Sequence, residues 1–258
     1  MLQDHFPAKP LPWRLITPIA LVCGFLAACG GGDADATTPP ADPQVAVGGS
    51  VDHPTNYTVA QLKTQTPITQ TVTFASGTTP QTHTYTGASL WMLLDTAAVK
   101  VSTAKNDILN KIVVATGADG YRAIFSLGEL KPDFGNRGNL VAYEESVGGV
   151  ATPLTNEGSI RVTAPSDVKG GRYVSALVRL EVQPSASTQA GTGGGVSTQF
   201  SVSGAVAHPG TFNLAALQAL PAIDKTIGTN TYRGVSLWSF LNTTVGITTN
   251  AARSRTTS

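Results

Sequence analysis

Cysteine is nearly absent: among 258 residues only Cys23 and Cys29 carry a thiol, both close to the N-terminus. Residues 30–258 therefore hold no disulfide of their own, no thiolate metal ligand and no cysteine nucleophile. Charge is scarce too. Asp, Glu, Lys and Arg make up 13% of the chain, and 17 basic against 16 acidic residues leave a formal charge of +1. No Lys/Arg cluster supplies the concentrated positive surface that nucleic-acid binding needs, which excludes nucleic acid as a partner. Aromatic residues reach only 7%, but hydrophobic residues reach 41%, enough for a core and too many for a solvated disordered chain. Long apolar runs are missing as well. Residues 15–28 form the main one, and as a helix they span about 21 Å, short of a ~30 Å hydrocarbon core.

What the chain has in quantity is Gly (27), Pro (16) and Thr, a composition of strands and turns. Lys9 and Arg14 precede the short apolar run and small residues close it, the layout of a secretory signal. Its last residues, Leu26-Ala27-Ala28-Cys29, resemble the lipobox of bacterial lipoproteins. That resemblance implies cleavage before Cys29, acylation of its thiol and of the new N-terminus, and membrane attachment through lipid. Each buried methylene contributes about 0.8 kcal/mol, so several acyl chains anchor without a spanning helix. Gly30 rather than Asp follows the cysteine, which by the same resemblance favours the outer membrane, with the protein facing the periplasm. Residues 1–28 are read as the signal peptide and 29–43 as a Gly/Asp/Ala/Thr/Pro tether with nothing to bury.

The segment QVAVGGSVDHPTNYTVAQL from Gln44 returns as QFSVSGAVAHPGTFNLAAL from Gln199. Val47, Gly49, Val51, His53, Pro54, Ala60 and Leu62 recur as Val202, Gly204, Val206, His208, Pro209, Ala215 and Leu217. YTGASLWMLL at Tyr85 returns as YRGVSLWSFL at Tyr232. Two matched blocks in one order read as a tandem duplication. Residues 44–182 form the first copy, 183–198 a Gly/Ser/Thr linker, and 199–258 a truncated second copy without a counterpart of residues 112–182. The GTGGG of the linker lacks the strand-to-helix context of a phosphate loop. The truncated copy is expected to expose apolar faces around Leu214, Leu217, Leu237 and Leu241.

Within the first copy, residues 45–51 and 70–75 alternate as strands, the latter with Val72 and Phe74 set between threonines. Thr58 caps a short helix through Gln65, and a second helix starts at Ser89 with Leu90, Leu93 and Leu94 turned inward. Residues 112–115, 121–126, 140–143, 159–163 and 173–182 read as further strands. Short helices against mixed strands make an α+β domain of about 140 residues.

Three stretches resemble the molybdopterin-binding domain of sulfite-oxidase-type oxidoreductases. They are Tyr85-Thr86-Gly87-Ala88-Ser89-Leu90-Trp91; Ala118-Asp119-Gly120-Tyr121 with Leu140-Val141-Ala142-Tyr143; and Ile160-Arg161-Val162-Thr163-Ala164-Pro165 followed by Lys169-Gly170-Gly171-Arg172-Tyr173-Val174. The resemblance covers residues 44–182 and implies a β-rich, sulfite-oxidase-like fold that holds molybdopterin. It also implies a molybdenum-ligating cysteine just before the Tyr-Thr-Gly segment. Residues 71–83 occupy that place here and contain none, and soft thiolate is the donor such a centre wants. No protein-ligated metal is expected.

The candidate ligand contacts are Arg161, Lys169, Gly170, Gly171, Arg172, Asp119 and Tyr121. Arg161 and Arg172 could hold a phosphate bidentately or sit in structural ion pairs. Gly170 and Gly171 allow close backbone approach, or simply serve a loop between strands. Asp119-Gly120 contacts a ligand or makes a hairpin turn. Ser89 and Ser236 lie in Gly-x-Ser-Leu-Trp, which lacks the second glycine of a nucleophile elbow and suits a helix cap. His83 is expected to be exposed, and no catalytic residue is legible. Two function classes stand: a pterin- or anion-binding module of the oxidoreductase type without full redox catalysis, and a cofactor-free binding or scaffold lipoprotein that keeps only the fold.

Overall fold

The computed structural model describes residues 42–155, 158–185 and 194–248. The signal peptide, Cys29, most of the tether, part of the linker and residues 249–258 lie outside the described residues. The chain divides into two compact units, Met1–Pro184 and Ser185–Ser258.

In the first unit the chain runs through β1 (Gln44–Gly49), β2 (Thr55–Thr58), α1 (Val59–Lys63), β3 (Ile68–Ser76), β4 (Thr79–Ser89) and α2 (Leu90–Thr96). It continues through β5 (Lys111–Gly117), β6 (Arg122–Ser126), α3 (Leu127–Leu130), β7 (Leu140–Val147), β8 (Val150–Pro153), β9 (Arg161–Val162) and β10 (Leu177–Pro184). One sheet has the order β2-β1-β10-β5-β6; the other has β3-β4-β7-β8, with β9 paired to β7. Among the strand pairs of the described residues only β1 and β10 run parallel, joining the two ends of the unit. The unit is β-rich with few, short helices.

Local chemistry accounts for most of these elements. The Thr58 hydroxyl accepts from the Gln61 amide while Gln61 reaches back to the Thr58 amide, a reciprocal cap that starts α1. Ser89 caps α2 in the same position, and Leu90, Leu93 and Leu94 are buried. Val72 and Phe74 point inward from β3, while the opposite face pairs threonines across the hairpin. Thr69–Thr86, Thr71–Thr84 and Thr73–Thr82 lie hydroxyl to hydroxyl at 2.8, 2.8 and 3.0 Å. Gly77, at φ +58°, makes the tight turn between β3 and β4. A bulge between Leu177 and Arg179 resets the alternation of β10, so Leu177, Leu180 and Val182 are all buried. Side chains from both sheets and from α1, α2 and α3 share one apolar core.

Several elements differ from the sequence reading. β4, eleven residues long, was not among the expected strands; it forms because β3 pairs residues 79–87 on one edge and β7 pairs residues 85–89 on the other. β2 and β8 were not expected. The strand expected over 159–163 shrinks to Arg161–Val162. The one expected from Tyr173 starts only at Leu177, after a 3₁₀ turn at Gly170–Arg172.

The second unit contains β11 (Gln199–Val202), β12 (Gly210–Asn213), α4 (Leu214–Gln218), β13 (Ile223–Ile227), β14 (Asn230–Gly234) and α5 (Leu237–Ser239), then a wider helical turn at Phe240–Val245. Among the described residues β11 pairs with β12 alone and β13 with β14 alone. Phe212 and Phe240 meet edge to face at 4.8 Å, and Phe240 and Val245 are buried. Leu214 and Leu237 are 66% and 70% exposed, whereas Leu217 and Leu241 are partly covered.

Candidate functional site

A cleft of about 600 Å³ opens on the first unit between the tip of the β3–β4 hairpin, the β7–β8 hairpin and the loop leading into β10. Residues 71–83, where the resemblance puts a metal-ligating cysteine, form that first hairpin. Phe74, Ala75, Ser76, Gly77, Gln81 and His83 face the cleft from it.

Aromatic rings build one wall. Phe74 stacks on Tyr173 at 4.1 Å between centroids, His83 lies 5.3 Å from Phe74, and Tyr85 lies 5.5 Å from His83. His83, expected to be exposed, is half-buried instead. Its Nδ1 pairs with Glu145 Oε1 at 2.5 Å, and Nε2 lies 3.3 Å from Gln81 Oε1. Glu145 sits on β7 at the register of Tyr85, so the β4–β7 ladder itself aligns the pair.

Arg161 is buried at the cleft floor. Its guanidinium donates to the Tyr85 hydroxyl and, at 2.6 Å, to Ser175 Oγ. Burial raises the Tyr85 phenol above its ordinary value, and the nearby Arg161 charge opposes that rise. Lys169 reaches across to donate to the Gly77 carbonyl, tying the loop to the hairpin tip. Gly170 packs against Phe74, whose ring would lie 2.8 Å from an added Cβ. Gly171 lines the cleft beside it.

Tyr173 has an unusual position. It is only 7% exposed, and its hydroxyl finds no hydrogen-bond partner among the described residues. Burial pushes its pKa up to about 12, with Asp167 adding to the rise, so the phenol stays a proton donor.

Three expected contacts are turned elsewhere. Arg172 gives Nε and Nη2 to the two oxygens of Asp167 at 2.8 and 2.7 Å, and Nη1 to Glu129 at 2.8 Å. The Asp167 hydrogen bonds, with Glu129 adding to them, hold its pKa above the ordinary value. The guanidinium also lies 4.9 Å from the Phe125 centroid. It is committed to protein carboxylates, not to the cleft. Asp119 accepts from the Tyr121 amide at 2.9 Å and so makes a turn. The Tyr121 hydroxyl donates to the Gly171 carbonyl at 2.6 Å, bracing the loop from outside. Of the candidate residues, Arg161, Lys169, Gly170 and Gly171 thus share the cleft, while Arg172, Asp119 and Tyr121 support it or lie apart. His83, Glu145 and Phe74 were not among the candidate contacts read from the sequence. In the β3–β4 ladder His83 sits opposite Val72 and on the same face as Phe74, so the alternation of the Thr-rich hairpin was the one available signal.

No protein-family model matches the chain, and no curated protein matches its sequence. Among solved structures the chain is similar to the sulfane dehydrogenase SoxCD from Paracoccus pantotrophus, at 19% identity and a TM-score of 0.44. That similarity covers 54% of this chain, which spans 37% of the other's length.

Proposed function

We propose that this protein is an outer-membrane-anchored lipoprotein, attached through Cys29, whose first unit has a sulfite-oxidase-like fold and binds a pterin or another planar organic anion. The buried Tyr173 hydroxyl carries the reading. A buried donor without a partner costs about 1–3 kcal/mol, and a ligand acceptor in the cleft relieves that cost. The aromatic wall of Phe74, His83 and Tyr173, backed by the buried Tyr85, suits a flat ring, and Lys169 and Arg161 border it with positive charge.

Molybdenum does not fit this donor set. The hairpin at the cleft brings a carboxylate-paired imidazole, hydroxyls and an amide, but no thiolate, and the chain's two cysteines lie at positions 23 and 29. The proposed role is therefore binding, without sulfite-type redox turnover. The internal commitments of Arg172, Asp119 and Tyr121 favour one second reading, a cofactor-free scaffold that retains only the fold.

Elemental analysis and pterin fluorescence of the protein purified from a cofactor-competent host decide between them. Pterin without stoichiometric molybdenum is the expected result. Molybdenum with sulfite turnover overturns the donor argument, and absence of any pterin or other bound anion leaves the scaffold reading.

A further inference from the structure

We infer that the His83–Glu145 pair couples the cleft to protons: an anion that enters draws a proton onto His83 as it binds, so the site holds its anion more tightly in acid. The inference rests on the anion-binding reading above and adds the charge state in which the ligand is held. The pair stands where it can act. His83 on β4 and Glu145 on β7 both line the cleft, and Nδ1 meets Oε1 at 2.5 Å. The rings of Phe74 and Tyr85 lie nearly parallel to the imidazole, at 14° and 8°, and hold it in place.

Both ring nitrogens meet oxygens. Protonated, the imidazole donates from Nδ1 to Glu145 and from Nε2 to Gln81 Oε1, 3.3 Å away. Neutral, it donates from one nitrogen alone, and a turned Gln81 amide can donate to the other, so the pair survives in both forms. Imidazole is the side chain that ordinarily changes charge between about pH 5 and 8, whereas a carboxylate does not. The charged groups that line the cleft with the pair are Lys169, from the loop before β10, and Arg161, from β9. Among the described residues β3 and β8 bring no charge to it. Burial raises the Tyr85 and Tyr173 phenols, so both keep their protons across this range.

Pairing alone does not call for a histidine. Glu144, the preceding residue on β7, points to the opposite face and pairs with Lys63 at 2.6 Å, a cation that keeps its charge through neutrality. Glu145, turned to the cleft, has instead a partner whose charge can be lost. Loss of that proton leaves the Glu145 carboxylate as an uncompensated negative charge on the cleft wall. Whatever holds Lys169 and Arg161, the two forms of the pair differ by one full charge. An anion therefore favours the protonated form, and its binding reciprocally draws the proton in. The protonated form gains population as pH falls, so affinity declines as pH rises, by at most about tenfold per pH unit for one proton.

The test titrates the full chain calorimetrically with naphthalene-2-sulfonate, a flat anion whose own charge is constant across this range. Two buffers of different ionisation heat count the protons taken up. Uptake of up to one proton is expected, with affinity roughly tenfold lower at about pH 8 than at about pH 5. His83→Gln should bind at every pH as weakly as the wild type does at the alkaline end, without proton uptake. Glu145→Gln should bind more tightly throughout and keep the pH dependence. The wild-type proton count needs no variant, and a retained melting transition checks the fold of each variant. Binding without proton uptake overturns the inference and leaves the anion reading standing, as does uptake that survives in His83→Gln. If neither this probe nor pterin-6-carboxylate binds at millimolar concentration at any pH, the anion reading falls and this inference falls with it.

Discussion

Tyr173→Phe is expected to stabilise the first unit, against the usual direction of a core substitution. The ring stays stacked on Phe74, a 4.1 Å contact that phenylalanine reproduces, and only a hydroxyl without a partner is removed. An unsatisfied buried polar group costs about 1–3 kcal/mol, and the open cleft nearby argues for the lower end, a gain of about 1 kcal/mol. For a unit of this size that raises the melting temperature by roughly 3–5 °C. Urea denaturation followed through Trp91 fluorescence, in a Trp238→Phe background, measures it. The alkaline limb gives a second readout. The ordinary phenol value is 10, and burial raises that of Tyr173 to about 12 in the folded state. The folded state therefore binds this proton more tightly: the stability it contributes is complete below pH 10 and is lost as pH rises through about 12. The variant should show a shallower fall across that window, the remainder belonging to Tyr85 and other buried phenols. Destabilisation by about 1 kcal/mol or more with an unchanged alkaline slope would refute the reasoning, because the hydroxyl then has a partner in the free protein.

Arg172→Ala should destabilise the first unit by about 3 kcal/mol in the same urea assay, since two carboxylate contacts at the low end of ~1.5–3 kcal/mol each are lost from a side chain still partly exposed. A stable Arg172→Ala protein that loses ligand binding would reverse its assignment as a structural residue. Gly87→Val forces β7 away from β4 and should cost about 3 kcal/mol or prevent folding, read as loss of soluble protein or of the cooperative transition. Leu94→Ala, at a fully buried site on α2, should cost about 2–5 kcal/mol by denaturation. Cys29→Ser should leave the precursor uncleaved or release the protein from membranes, and unchanged fractionation and processing would remove the lipoprotein reading.

Much of the candidate site was hidden for a physical reason: its contacts join residues far apart in the chain. His83 and Glu145 are 62 positions apart, and Arg172 and Glu129 are 43 apart. Read alone, His83 sits among threonines and has no visible partner. Asp167 lies only five positions from Arg172, but nothing in a loop sequence says that its carboxylate will meet the guanidinium on two atoms. The Lys169–Val174 stretch and Arg161 were legible because charged and glycine residues concentrate there, although the structure directs only part of that set into the cleft.

What the amino-acid sequence determined by itself is local. Thr58 and Ser89 start helices because a hydroxyl three positions ahead of a free amide needs no tertiary help. Val72 and Phe74 choose their face by alternation, and the leucines of α2 choose theirs by helical period. Tertiary structure alone decided the length of β4, whose Thr-rich start takes strand geometry from hydrogen bonds to β3 and whose last residues, 85–89, are paired to β7 as well. It alone decided the parallel pairing of β1 with β10, which closes the unit from end to end. It also decided that one guanidinium faces the cleft while the other is held by carboxylates, because a side chain's partners depend on which strands become neighbours and not on which residues precede it.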